Sequence, residues 1–276
     1  MGFLATSLNR MEEMMDTVTK RSRVHVSSPF ADVRVAPVKV NESQVSNQAI
    51  EIRDDQGDWQ CLNIHSSAYN LIPNSRVAEL TEEILIQTGT VWTPQREIWT
   101  GRYWAKLYRS NLNLDVPEVG DTISLGIRVE NSYDGSCQFR IVLMGFVLSC
   151  TNGLVSPKHF SSFTMKHIGD EELDFAMAQS RIRHGVRELE DLLPLVTKLN
   201  RIPLTIDLVS QVANETGLPN GEWGHINKLL GGSETAWDLM QAITHRLSHH
   251  GRGRAGIQNE EEIGDYFLGR ISSRAA

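Results

Sequence analysis

Between residues 121 and 131 the chain reads DTISLGIRVEN. Ile123, Leu125, Ile127 and Val129 alternate with Thr122, Ser124, Arg128 and Glu130. A period of two predicts a strand, with the apolar set inward and the polar set toward water. The next run, QFRIVLMGFVLSC, is apolar almost throughout from Ile141 and predicts a strand buried on both faces. Asp134–Gly135, in the NSYDGS segment between the two, is a hairpin signal. A third strand is expected over 96–109, REIWTGRYWAKLYR. Upstream, VHV, DVRVAPVKV, AIEIRD and WQCLNIH between about 24 and 64 predict strands joined by turns.

Other segments follow a helical period. Leu4, Leu8, Met11, Met15 and Val18 mark an amphipathic N-terminal helix. Val77, Leu80, Ile84 and Leu85 form the stripe of a helix capped by Asn74 or Ser75 and ended by Gly89. From about 170 the chain is helical. Leu173, Met177, Ile182, Val186, Leu189, Leu193, Val196 and Leu199 trace one face, with Pro194 as a kink or break. LTIDLVSQVANET is a second helix, stopping at Gly217. SETAWDLMQAITHRLSHH is a third, with Ser233 as N-cap. GRGRAG reads as a flexible basic loop and EEEIGDYFLGRI as a short final helix. Strands first and helices last predict an α+β fold: an antiparallel sheet with packed helices, then a mainly helical C-terminal part. The expected division is an N-terminal arm over 1–23, a β-rich core over 24–165 and a helical region over 166–276.

With 276 residues, 40% of them hydrophobic and 22% charged, a substantial core is expected and disorder is not. No window has the unbroken apolar length of a membrane span, and the start does not read as a secretory signal. Gly2 and Thr6 fit the acylation pattern, a match too short to assign. Cys61, Cys137 and Cys150 are odd in number and widely spaced, which points to a reducing, cytoplasmic setting. The net charge of −7 argues against wholesale wrapping of nucleic acid but leaves room for a local basic groove. The front half supplies basic patches. Residues 20–39 carry five cations against Asp32, and residues 92–111 carry Arg96, Arg102, Lys106 and Arg109 against Glu97. Residues 170–192 carry seven acids against three arginines.

Read as one strand, REIWTGRYWAKLYR puts Arg96, Arg102, Trp104, Lys106 and Tyr108 on one face and Trp99, Tyr103 and Leu107 on the other. Cations that follow phosphates and rings on which unpaired bases stack are the two ingredients of a single-strand platform. Arg128, on a neighbouring strand, would extend it. The structural alternative is that the rings are core and the arginines border it. Asp134 has no second carboxylate nearby in sequence, and its turn explains it as well as catalysis does. His245 and His249 have a chelating spacing, but Arg246 stands where a zinc hydrolase needs Glu, so a polar helix end is the better reading of these and His250. No phosphate-binding glycine loop and no nucleophile elbow is present. The sequence assigns no metal, no cofactor and no catalytic residue.

The order of motifs carries a resemblance. GRYWAKL is followed by NSYDGS, then SCTNGL, then IRHGV opening a long helix, then TAWDLMQAITHRLSH. Over about 60–250 this resembles the phage/plasmid-like protein family, a domain of unknown function of bacteriophages, plasmids and some bacterial chromosomes. The family's motif positions fall on Asn131, Ser132, Asp134, Gly135 and Ser136, on Cys150 and Asn152, and on Arg183 and His184. Gly153 departs from the family, which more often has Thr there. The resemblance implies a mobile-element origin. In the order of its elements alone, the chain is also similar to phage single-strand annealing proteins.

The resulting expectation is a non-enzymatic, homo-oligomeric protein that binds single-stranded DNA in replication or recombination through Arg96, Arg102, Trp104, Lys106, Tyr108 and Arg128. The rivals are a protein-interaction factor acting on a host or phage enzyme and, third, a metal-dependent enzyme.

Overall fold

The segment with the cleanest alternation becomes the middle of a sheet. A computed structural model describes residues 26–147, 152–154, 162–165, 175–250 and 253–274. The N-terminal helix expected over 4–18, Gly2 and Cys150 lie outside them. Among the described residues the fold is α+β, with two antiparallel sheets preceding most of the helices. The smaller sheet orders β1 (Val33–Val40), β2 (Ser43–Arg53) and β3 (Trp59–His65) in sequence. After helix α1 (Asn74–Gln87) come β4 (Trp92–Trp99), β5 (Tyr103–Val116), β6 (Asp121–Ser132) and β7 (Phe139–Val147), each paired with the next. Two short strands share the far edge of β7: β8 (Asn152–Leu154) beside Gly145–Val147, and β9 (Ser162–Met165) beside Phe139–Val142. Then follow α2 (Phe175–Arg201), α3 (Ile206–Thr216), α4 (Asn220–Leu229), α5 (Ala236–His250) and α6 (Gly253–Asp265). Tyr266–Ile271 forms a wide π-type turn and Ser272–Arg274 a 3-10 turn.

The large sheet is covered on both faces, which corrects the reading of 121–131 as half-exposed. One face carries Ile123, Leu125, Ile127 and Val129 into the main core with residues of α1, α2, α3 and α5. Helix α2 comes closest at Gly185, where a Cβ would sit 3.1 Å from both Leu125 Cδ1 and Leu143 Cδ1. The other face carries Leu107, Val142, Met144 and Phe146, all buried. Ser124, Arg128 and Glu130 point to that second face and are buried too.

REIWTGRYWAKLYR is two strands, not one. It reverses at Thr100–Arg102, where Gly101 takes φ +84° and the Thr100 N–H donates to the Tyr103 carbonyl at 3.1 Å. A register shift between Pro94 and Arg96 changes which face β4 presents. Alternation continues through the turn in sequence, so the pattern alone could not show the reversal.

Several helix ends also differ from expectation. Helix α1 takes no side-chain cap from Asn74 or Ser75. Instead the Asn74 N–H donates to the Tyr133 hydroxyl at 2.8 Å. Helix α2 passes Pro194 without a break, with that residue on its exposed side. Thr205, not among the expected caps, caps α3 by accepting from the Leu208 N–H, while Gly217 ends it at φ +64° as expected. At α5 the cap is Thr235 with Asp238, not Ser233. Helix α4 is not among the elements the sequence predicts. It buries Trp223 and Ile226. The expected loop GRGRAG already belongs in part to a helix, since α6 begins at Gly253 and runs into the expected final helix.

NSYDGS joins the two sheets. Tyr133 leaves the end of β6 and packs into the small sheet's core with Ile50, Ile52 and Leu62. Asn63 donates to the Asp134 carbonyl at 2.9 Å, and His65 Nε2 lies 3.0 Å from the Tyr133 carbonyl oxygen. Buried Asn131 donates to the Ile72 carbonyl and to Asn74 Oδ1. Ser132 accepts from the Cys137 N–H and donates to the Cys137 carbonyl. Asp134 Oδ1 accepts from the Ser136 N–H, a turn-closing bond. Gly135 has φ +71°, and a Cβ there would stand 3.2 Å from His65 Cε1. Gly135→Val therefore meets both a left-handed backbone and a ring. It is expected to lower unfolding free energy by about 2 kcal/mol in urea titration. An unchanged midpoint would contradict this description of the joint.

Candidate functional site

Strand pairing places chemistry on the second sheet face that sequence reading had divided otherwise. Arg96 pairs with Leu107, Leu107 with Arg128, and Arg128 with Val142, so Arg96 and Arg128 share one cross-strand row. In the next row Ala105 pairs with Glu130 and Glu130 with Arg140. Three arginines from β4, β6 and β7 thus converge on one face. Helix α6 meets them with two consecutive carboxylates. Glu261 accepts from Arg128 Nη2 in a short contact and from Arg140 Nη2 at 3.3 Å. Glu260 Oε1 lies 3.7 Å from Arg96 Nη1. Glu130 accepts from Arg128 Nε at 2.5 Å.

This network is in the interior. Arg128 has 0% of its side chain exposed and Glu130 1%. Burial alone disfavours a charged guanidinium, but the Glu130 and Glu261 carboxylates more than offset it and hold the Arg128 proton above its ordinary range. Burial pushes the Glu130 carboxyl up, and Arg128 and Arg140 outweigh it, leaving Glu130 below its usual range. Glu260 differs. Burial dominates there, and despite Arg128 and Arg96 its carboxyl is pushed up to about 6. Two atoms stay unanswered: Arg128 Nη1 and Glu260 Oε1 are buried without a hydrogen-bond partner.

The aromatic platform expected over 96–109 is not on the surface. Trp104 is fully buried, donates through Nε1 to Glu97 Oε1 at 3.0 Å, and packs edge-on to Phe30. Tyr108 is buried in the same core. Lys106 lies over the Tyr108 ring and 3.8 Å from Glu82. Arg96 is on the opposite face, because of the turn and the shifted register. Arg128 extends no basic surface, being enclosed by carboxylates. Of the set only Arg102 is exposed, at the β4–β5 turn, where its carbonyl accepts from the Tyr133 N–H. The rings are where a strand rich in aromatics normally puts them, in the core.

The motif residues separate into two groups. Asn131, Asp134 and Gly135 serve the joint between the sheets. Asn152 and Gly153 lie in β8, opposite Val147 and Phe146. Arg183 and His184 are exposed on α2. His184 Nδ1 is 2.7 Å from the Ser180 carbonyl oxygen. Arg183 and Arg187 stand one turn apart, on the side of α2 opposite buried Ile182, Leu189 and Leu192. Neither pairs with a carboxylate among the described residues.

Residues 61–264 match the family described as Domain of unknown function (DUF932). The chain belongs to that family. No curated protein and no solved structure matches it. The matched span runs from within β3 to Gly264 of α6, and so contains the whole arginine–carboxylate network and the α2 arginines.

Reading the sequence missed Arg140, Arg187, Glu260 and Glu261. A run of three glutamates reads as a solvated face, and only the fold shows two of them turned inward. His245 and His249 have rings 4.2 Å apart, with no third metal donor grouped beside them among the described residues.

The raised Glu260 carboxyl has a signed consequence. Between its unfolded value of 4.5 and about 6 the folded state holds a proton that the unfolded chain has released. Its contribution to stability therefore falls as pH rises through that window and stays low above it. Glu260→Gln should stabilise the protein by about 1–2 kcal/mol at pH 7.5 and hardly at pH 4.5. Denaturant titration at the two pH values checks this, and an equal effect at both would count against it.

Proposed function

We propose that the protein binds single-stranded DNA without enzymatic turnover, by phosphate contact along the exposed side of α2. The observation that carries this reading is the Arg183–Arg187 pair, two solvated guanidiniums without carboxylate partners among the described residues, about 6 Å apart along the helix axis. Arginine suits phosphate because its planar fork donates two parallel hydrogen bonds. With Trp104 and Tyr108 in the core, base stacking on β5 drops out and the binding becomes electrostatic and sequence-independent. The net charge of −7 favours a narrow strip over a broad duplex-wrapping surface. The resemblance to phage/plasmid-like proteins supports a role in the replication or recombination of a mobile element, the scattered cysteines support a cytoplasmic setting, and the apolar stripe expected over residues 4–18 supports an oligomer.

Anisotropy of a labelled thirty-nucleotide poly-dT, followed over a salt series, tests this. The wild type should bind, with log K falling linearly against log salt. Arg183→Glu/Arg187→Glu should weaken binding at least tenfold and flatten the slope by about 1.4, near 0.7 per lost phosphate contact on a single strand. Trp104→Phe should bind as the wild type does. A wild type that ignores the oligonucleotide at low salt would end this reading and favour the protein-interaction alternative.

A further inference from the structure

The arginine row beneath α6 is a second place where a polyanion could sit, and the helix already supplies anions to it. We propose that α6 is a displaceable acidic plug. Its carboxylates occupy an arginine-lined face of the large sheet that takes nucleic-acid phosphates when the helix leaves. This rests on the single-strand reading above and adds to it a second binding face and its control.

Three observations carry the proposal. The first is the chemistry of the face. Arg96 and Arg128 sit in one row two strands apart, roughly 10 Å, and Arg140 lies in the adjacent row. Arg128 Nη1 is buried with nothing to donate to, so the face has an unused donor even with α6 seated. The second is the poor intrinsic stability of the plug. Gly253, Gly256 and Gly264 occupy three of its thirteen positions, and glycine is the weakest helix former after proline. Among its described side chains Ile263 is the only large apolar one in the core. The third is that the two inward carboxylates pull in opposite directions. Glu261 reaches two guanidiniums and holds the helix down. Glu260 accepts no hydrogen bond at Oε1, and its burial, with the Glu261 charge beside it, costs more than Arg128, Arg96 and the Ser248 hydroxyl return. A helix held by one acid and strained by its neighbour is set to open.

The opposed signs give the test. Full-length wild type, Glu261→Gln and Glu260→Gln are titrated with the labelled poly-dT over the same salt series. Glu261→Gln should bind several-fold tighter with a steeper salt slope, because more phosphates are engaged. Glu260→Gln should bind more weakly than the wild type. Adding Arg96→Gln/Arg140→Gln to Glu261→Gln should cancel the gain. Hydrogen exchange on the wild type supplies a readout that needs no variant: amides of residues 253–265 should lose protection when poly-dT is added. Equal affinities and slopes for all three proteins, or α6 amides unchanged by poly-dT, would overturn the plug. Failure of the α2 reading looks different. Arg183→Glu/Arg187→Glu would then leave affinity unchanged, while the Glu260 and Glu261 variants would still diverge.

Discussion

A guanidinium removed from water has to be answered by charge, and Arg128 is the point at which this fold meets that requirement. It sits in the central strand with no exposed side-chain surface. Taking such a group out of water costs several kcal/mol, and breaking a buried pair is more damaging than never having built it. Glu130 answers it from the same strand and Glu261 from a helix 133 residues away in sequence. Sheet and C-terminal helix are thereby tied by charge at one location. Arg140, which also meets Glu261, extends the tie to neighbouring β7, and Arg96, facing Glu260, extends it to β4 two strands away.

The second constraint is the NSYDGS joint. Tyr133 fills the small sheet's core with its ring and caps α1 with its hydroxyl, so one side chain serves both sheets and a helix. Asn131 donates to Asn74 Oδ1, and Asn74 in turn donates to the Pro29 carbonyl, inside the protein. Family motif residues at this turn therefore act in architecture. The motif residue that faces solvent beside another cation is Arg183, and this contrast directs the functional reading to α2.

Much of the fold could be read from period and turn chemistry. The strands of 121–132 and 139–147, the stripe of α1, the long α2 and the Gly217 end of α3 all follow from local pattern. What could not be read depends on pairing. The polar set of β6 looked solvated because the sequence shows only that one face is apolar; it does not show that a charged helix returns to cover the other. The aromatic–basic strand looked like a platform because Gly101 reverses the chain without interrupting the alternation. The first turn of α6 looks like a loop in sequence because Gly253 and Gly256 argue against a helix, whereas residues 260–265 fall in the expected final helix. At the candidate site, Arg183 and His184 were found by motif, whereas Glu260 and Glu261 have no local signal.

The most direct measurement is a double-mutant cycle between Arg128→Met and Glu261→Gln, read by denaturant unfolding at pH 7.5. The account predicts strong coupling, of order 1–3 kcal/mol, because each change removes the partner on which the other depends. Additive effects would mean that α6 is held without the charge tie, and would contradict the account at its centre.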